Sequence, residues 1–146
     1  FAIYITIARL KDFDEPIDAM VYMIVAALGF AAVENVASIA RGAMPSPFMA
    51  GGTVEVLSLR FIGATLLHSL SSALVGYYWG LAMLQKHKFT LLILEGLGVA
   101  IILHTVFNYL IVLFGPSSEL ALLLLISASF FIFNDFEHLK TSDEKV

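Results

Sequence analysis

The sequence contains no cysteine, which removes disulfides, thiolate metal ligands and a cysteine nucleophile from consideration. Charge is nearly as scarce: eight Lys and Arg and twelve Asp and Glu among 146 residues, with a formal net charge of −4. So few basic residues form no positive face, and nucleic acid is excluded as a partner. Also missing is a basic segment ahead of the opening apolar run, Phe1 to Ala8, so that run does not read as a signal peptide. Eight residues reach only about 12 Å as a helix, and the run is expected to be the end of a span that begins before Phe1. What the chain has instead is apolar surface, with 60% hydrophobic residues and a mean hydropathy of +0.91. At roughly 20 apolar residues per span, this length predicts an all-α polytopic transmembrane bundle of about four spans plus the end of a truncated fifth. Residues 1–146 are expected to form a single integral membrane domain with a polar tail over 137–146. Its expected partners are membrane lipid and other membrane proteins.

Breakers and charges divide the chain. A polar turn from Arg9 to Pro16 leads into a run from Ile17 to about Ala40, with Asp14, Glu15 and Asp18 placed where the helix dipole favours acids. A loop rich in Gly and Pro follows, then a segment from about Val54 to Leu84 that ends near Tyr77-Tyr78-Trp79, a candidate interfacial aromatic belt. The next run, Leu91 to Phe114, stops at Gly115-Pro116, and a last apolar segment covers Leu120 to about Phe133. If the spans alternate, Arg9, Lys11, Lys86, Lys88, Lys140 and Lys145 share one face and only Arg41 and Arg60 the other. The first face is therefore assigned to the cytoplasm. Gly29, Gly63, Gly76, Gly96 and Gly98 predict closely packed helices.

Several polar residues interrupt these runs: Glu34-Asn35, His68, and His104 with Asn108. An ionisable group at membrane depth costs several kcal/mol unless it meets protein or water, so each is a candidate functional residue. With a rise of about 1.5 Å per residue, Glu34 lies roughly 25 Å and His104 roughly 20 Å from the cytoplasmic ends of their helices, and His68 falls at an overlapping level. One site lined by Glu34, Asn35, His68, His104 and Asn108 is expected. His104 and Asn108 are four apart and share a helix face. A carboxylate such as Glu34 can act as general base, an imidazole can orient water or move a proton, and a carboxamide can donate to an oxyanion. Arg60 belongs at the rim or beside an acid of a neighbouring helix.

Plainer readings stand beside these. Membrane histidines commonly make interhelical hydrogen bonds, and Glu34-Asn35 can cap the outer end of a helix. Glu95 is read as snorkelling or pairing with Lys88, and His87 and His138 as solvated. Ser69, Ser71 and Ser72 flank His68 but lack a glycine-flanked nucleophile motif, so they are read as packing residues.

The stretch Phe13-Asp14-Glu15-Pro16-Ile17-Asp18-Ala19-Met20-Val21-Tyr22, followed by Leu28-Gly29-Phe30-Ala31-Ala32-Val33-Glu34-Asn35, resembles the signature of the PrsW family of intramembrane proteases. The family pattern is close to FDE-x-x-DG-x-VYG, then LGFA-x-x-EN. Arg60, Leu67-His68 through Ala73, Gly76, and Leu103-His104 with Asn108 extend the similarity over nearly the whole chain. The wider group it resembles is that of the CAAX-type glutamic membrane proteases. The resemblance implies a bundle that cleaves membrane-anchored substrates, with first-site cleavage of an anti-sigma factor as the family's named role and the bacterial plasma membrane as its place. By motif position, His104 matches the family's catalytic histidine, Glu34 and Asn35 its EN pair, and His68 its other intramembrane histidine. The family's glutamate pair, in EE-x-x-K, is expected upstream of Phe1. Ala19 and Met23 stand where the common pattern has glycine, which implies slightly different helix packing.

The expected function is therefore an intramembrane endopeptidase with catalytic residues Glu34, His68 and His104, supported by Asn35, Asn108 and Arg60, acting on a single-pass membrane protein. Two readings of the cofactor stay open: His68 and His104 with acids can hold Zn²⁺ with an open position, or the glutamates can activate water unaided. Two rivals use the same residues differently: a non-catalytic membrane scaffold, and a proton or metal-ion transporter with the acids and imidazoles as a relay.

Overall fold

Local signals set the helix ends. The computed structural model describes residues 6, 10–40, 54–85, 88–115 and 117–143 apart from the side chains at 38, 39, 54–60 and 143, and four helices are complete enough to describe. These are α1 (Pro16–Ala40), α2 (Val54–Leu84), α3 (Phe89–Phe114) and α4 (Glu119–Asp143). Pro16 opens α1 at a position where its missing N–H costs nothing. The Asp18 carboxylate closes the same end by accepting the backbone N–H groups of Glu15 at 3.0 Å and Asp14 at 3.2 Å. Gly115, with φ of +85°, ends α3 and donates its N–H to the Ile111 carbonyl at 2.9 Å. Ser118 then caps α4, its hydroxyl accepting the N–H of Ala121 at 3.3 Å.

The fold class matches the expectation: an all-α membrane bundle, with no strand among the described residues. Within α1, α3 and α4 the segments Pro16–Ala37, Phe89–Phe114 and Glu119–Ser142 are each long and apolar enough to cross a bilayer. The 31-residue α2 is about 46 Å long and carries Thr65, His68, Ser69, Ser71 and Ser72 in its middle. It packs against α1, α3 and α4, so those residues are turned toward protein rather than lipid. Large apolar side chains cover the outside, Val33, Ile102, Val112 and Phe130 among them. On a surface facing water such coverage would drive association; against lipid chains it costs nothing. The chain is an integral membrane protein. The expected truncated span falls on residues of which only Thr6 is described.

Two expectations are corrected. The last helix does not stop near Phe133, and residues 137–143 of the expected polar tail are helical. Its packed stripe of Ala121, Leu125, Ala128, Ile132, Phe136 and Leu139 keeps three- and four-residue spacing past the end of the apolar run. Leu139 is fully buried. The polar side chains of this end turn back onto their own helix, Asn134 to the Phe130 carbonyl and Ser142 to the His138 carbonyl. The second correction concerns Trp79, expected with Tyr77 and Tyr78 in an interfacial aromatic belt but not turned outward. Trp79 is buried, its ring centroid 5.0 Å from that of Phe13, and the Tyr77 hydroxyl lies 3.3 Å from Nδ1 of the exposed His138. Glu95 is exposed and makes no ion pair with Lys88, while His87 lies outside the described residues.

Successive helices run antiparallel, which places Lys11, Lys88 and Lys140 at one end. That is the end that the charge count of the sequence assigns to the cytoplasm. There α1 and α2 approach until backbone meets backbone: a Cβ on Gly76 would lie 2.6 Å from Met20 Cα, and one on Gly80 2.5 Å from the Pro16 carbonyl oxygen. Gly96 admits the Tyr78 side chain in the same way, its absent Cβ lying 2.7 Å from Tyr78 Cβ. Gly29 and Gly98 have nothing within 4 Å of that position, so they are not part of this packing.

Gly76→Ala should therefore destabilise the bundle by ~1–3 kcal/mol through backbone displacement. Gly98→Ala, in open space within a helix, should be neutral or stabilising by up to about 1 kcal/mol. Thermal unfolding of both variants in detergent checks the contrast.

Candidate active site

The antiparallel arrangement converts three separate sequence positions into one level. Counting from the cytoplasmic ends, Glu34 lies about 27 Å along α1, His68 about 24 Å along α2 and His104 about 22 Å along α3. The side chains meet there. His68 Nε2 is 2.6 Å from Glu34 Oε2, a charge-assisted hydrogen bond when the carboxylate is ionised. An ionised carboxylate only accepts, so Nε2 then carries the proton and Nδ1 is left as an acceptor. On the other side of His68 stands His104, with ring centroids 5.1 Å apart and planes at 48°. Phe30, one turn before Glu34, presents its ring edge-on to His68 at a centroid distance of 5.1 Å.

The neighbouring asparagines behave differently. Asn35 is 5% exposed, and its amide donates to Thr65 Oγ1 at 3.3 Å, so it links α1 to α2 one turn from His68. Asn108 is exposed and makes no hydrogen bond within the described residues. The structure thus brings Glu34, His68 and His104 together, with Asn35 beside them and Asn108 about one turn nearer the outer end. Arg60 lies in the α2 range, with its side chain outside the description.

A cavity of ≈ 700 Å³ opens from the two histidines toward the cytoplasmic end. Its walls are Met23 of α1, Ser71, Ser72, Val75 and Trp79 of α2, and Phe89, Ile93, Leu97, Ala100 and Ile101 of α3. Such a volume is in the range of ligand pockets. Sequence reasoning missed this wall, although its α2 members follow His68 at intervals of three, four, seven and eleven residues, which place them on one helix face. Thr65 was missed too, three residues before His68 on that face.

The family model described as PrsW family intramembrane metalloprotease matches residues 1–134. The chain belongs to the PrsW family. It is also similar to the Protease PrsW of Geobacillus kaustophilus (strain HTA426), at 27% identity over 111 residues, covering 76% of this chain and 45% of that protein. The chain thus spans less than half the length of that relative. No solved structure matches it. The matched range of the PrsW family contains all of Glu34, Asn35, His68, His104 and Asn108.

The family description names a metalloprotease, so the donor set can be tested for a metal. Ligands on one tetrahedral Zn²⁺ at about 2.0 Å lie about 3.3 Å from one another. The 2.6 Å contact of His68 with Glu34 is shorter, and is that of a hydrogen bond. Among the described residues no group of three His, Cys, Asp or Glu side chains is arranged to hold an ion. These residues do not by themselves fit a metal.

The Asn35 to Thr65 link should be measurable apart from any chemistry. Asn35→Ala and Thr65→Ala should each lower stability by about 0.5–1 kcal/mol, and the double variant should cost no more than the worse single one. Unfolding titrations in mixed detergent would show the non-additivity.

Proposed function

We infer that the chain carries the catalytic core of an intramembrane endopeptidase that hydrolyses a peptide bond of a membrane-anchored protein. The observation that supports this most directly is the hydrogen-bonded Glu34 and His68 pair with His104 beside it, at one depth and at the head of a cavity. The carboxylate orients His68 and stabilises its imidazolium, as the acid does in a catalytic triad. A water held between the two imidazoles gives a proton to this couple while its oxygen bonds to the scissile carbonyl carbon. His104 donates to the carbonyl oxygen as it gains charge. When the C–N bond breaks, the couple returns the proton to the leaving nitrogen, and a carboxylic acid and an amine result.

The substrate is a single-pass protein of the anti-sigma-factor type, cut at its first site in the outer half of the bilayer. The depth of Glu34, His68 and His104 supports that position, and family membership supports the reaction class. A bacterial plasma membrane is the proposed location, supported by the Geobacillus relative. Lipid is the remaining partner, against the apolar exterior.

In proteoliposomes holding the full-length protein and a single-pass substrate, His104→Ala should abolish cleavage while thermal unfolding stays at the wild-type value. Glu34→Gln should slow cleavage at least about 100-fold, the low end for disabling an acid–base couple. Undiminished turnover by His104→Ala would remove this residue from the mechanism.

A further inference from the structure

The cavity below the histidines has two features that hydrolysis itself does not use. The first is a pair of unspent hydroxyls. Ser71 is 8% exposed and its hydroxyl has no hydrogen-bond partner among the described residues; Ser72, beside it on the cavity wall, makes none either. Elsewhere in these helices serine hydroxyls turn back onto their own backbone, Ser69 to the Thr65 carbonyl at 2.9 Å and Ser129 to the Leu125 carbonyl at 2.8 Å. A buried hydroxyl without a partner is costly, because the hydration it gives up is not replaced. The second feature is the apolar space beyond them, between Val75 and Trp79 on one side and Ile93 and Leu97 on the other.

We propose that this cavity is a specificity subsite for an extended peptide, taking the residues on the cytoplasmic side of the scissile bond. It rests on the hydrolase reading above. A helix must unwind before one of its peptide bonds can be cut, and unwound N–H and C=O groups at membrane depth need partners. Serine hydroxyls both donate and accept, and these two stand about one turn from His68. The distance from the level of His68 to that of Trp79 is about 16 Å, room for about five extended residues. A lipid acyl chain would fill the apolar space but would leave both hydroxyls unpaired. The peptide satisfies both features, with a large apolar side chain seated between Trp79 and Leu97.

The test uses full-length enzyme in proteoliposomes and single-pass substrates carrying Ala, Leu or Phe at each of the first four positions on the cytoplasmic side of the cut bond. Wild type should favour Leu or Phe over Ala at one position by about ten-fold in kcat/KM, the usual discrimination of an apolar pocket. Val75→Phe, which fills the space, should reverse that order. Ser71→Ala with Ser72→Ala should raise KM about five-fold per hydroxyl and leave the order intact. Absence of any size preference in wild type, or an unchanged order in a folded Val75→Phe enzyme, overturns the subsite. If the wild type cleaves no substrate, the hydrolase reading fails separately, and a benzophenone side chain at position 97 decides the subsite. Crosslinking to the single-pass peptide supports it; capture of lipid alone overturns it.

Discussion

A carboxylate within a bilayer is tolerated only against a partner, and the arrangement of this bundle follows from supplying one to Glu34. Its partner is His68 at 2.6 Å. His68 in turn is kept off the lipid by its place on α2, the helix that α1, α3 and α4 all contact. This explains why Thr65, His68 and the serines that follow it sit on the helix that contacts all the other described ones. In water the hydrophobic effect would sort apolar residues inward, but lipid tails are as apolar as leucine and provide no such drive. Sorting here acts mainly on the polar groups, which collect where protein surrounds them, while leucine, valine and phenylalanine cover the exterior.

Close helix contact then has to come from shape. Gly76 and Gly80 let α1 lie against α2 with no side chain between them, and Gly96 admits Tyr78 from α2 into α3. All three are in the cytoplasmic half. In the outer half the helices are joined by polar contacts, Asn35 to Thr65 and Glu34 to His68. The bundle is therefore pinned by steric fit at one end and by hydrogen bonds at the other, with the cavity between α2 and α3 lying alongside the sterically fixed half.

Depth was legible in the sequence because the helical rise is nearly constant, so the levels of Glu34, His68 and His104 could be computed from residue counts alone. Direction around each helix was much less so. Hydropathy separates lipid from water but does not separate lipid from protein. Hence Asn108, on the same face as His104 by spacing, lies exposed, and Gly98 packs against nothing while Gly96 admits an aromatic residue. The length of α4 was missed for a related reason. Its final turns are held by Phe136 and by the buried Leu139 against Gly80, contacts that an averaged hydropathy profile does not register. Trp79 was read as interfacial from its neighbours, whereas Phe13 and the cavity enclose it.

The adjacent residues Glu34 and Asn35 show how one short motif can hold both structure and chemistry. Successive residues on a helix point about 100° apart. Asn35 consequently turns into the α1 and α2 contact and is 5% exposed, whereas the Glu34 side chain stays at the edge, 45% exposed, and reaches His68. Their partners, Thr65 and His68, are three residues apart and share one face of α2. Two hydrogen bonds from neighbouring residues to one face fix both the rotation and the axial position of α1. Slipping α1 by a single residue would move it about 1.5 Å and turn it about 100°, breaking both bonds together. The buried amide thereby sets the position from which the carboxylate meets the imidazole, and the histidine pair inherits its geometry from a contact that neither histidine makes.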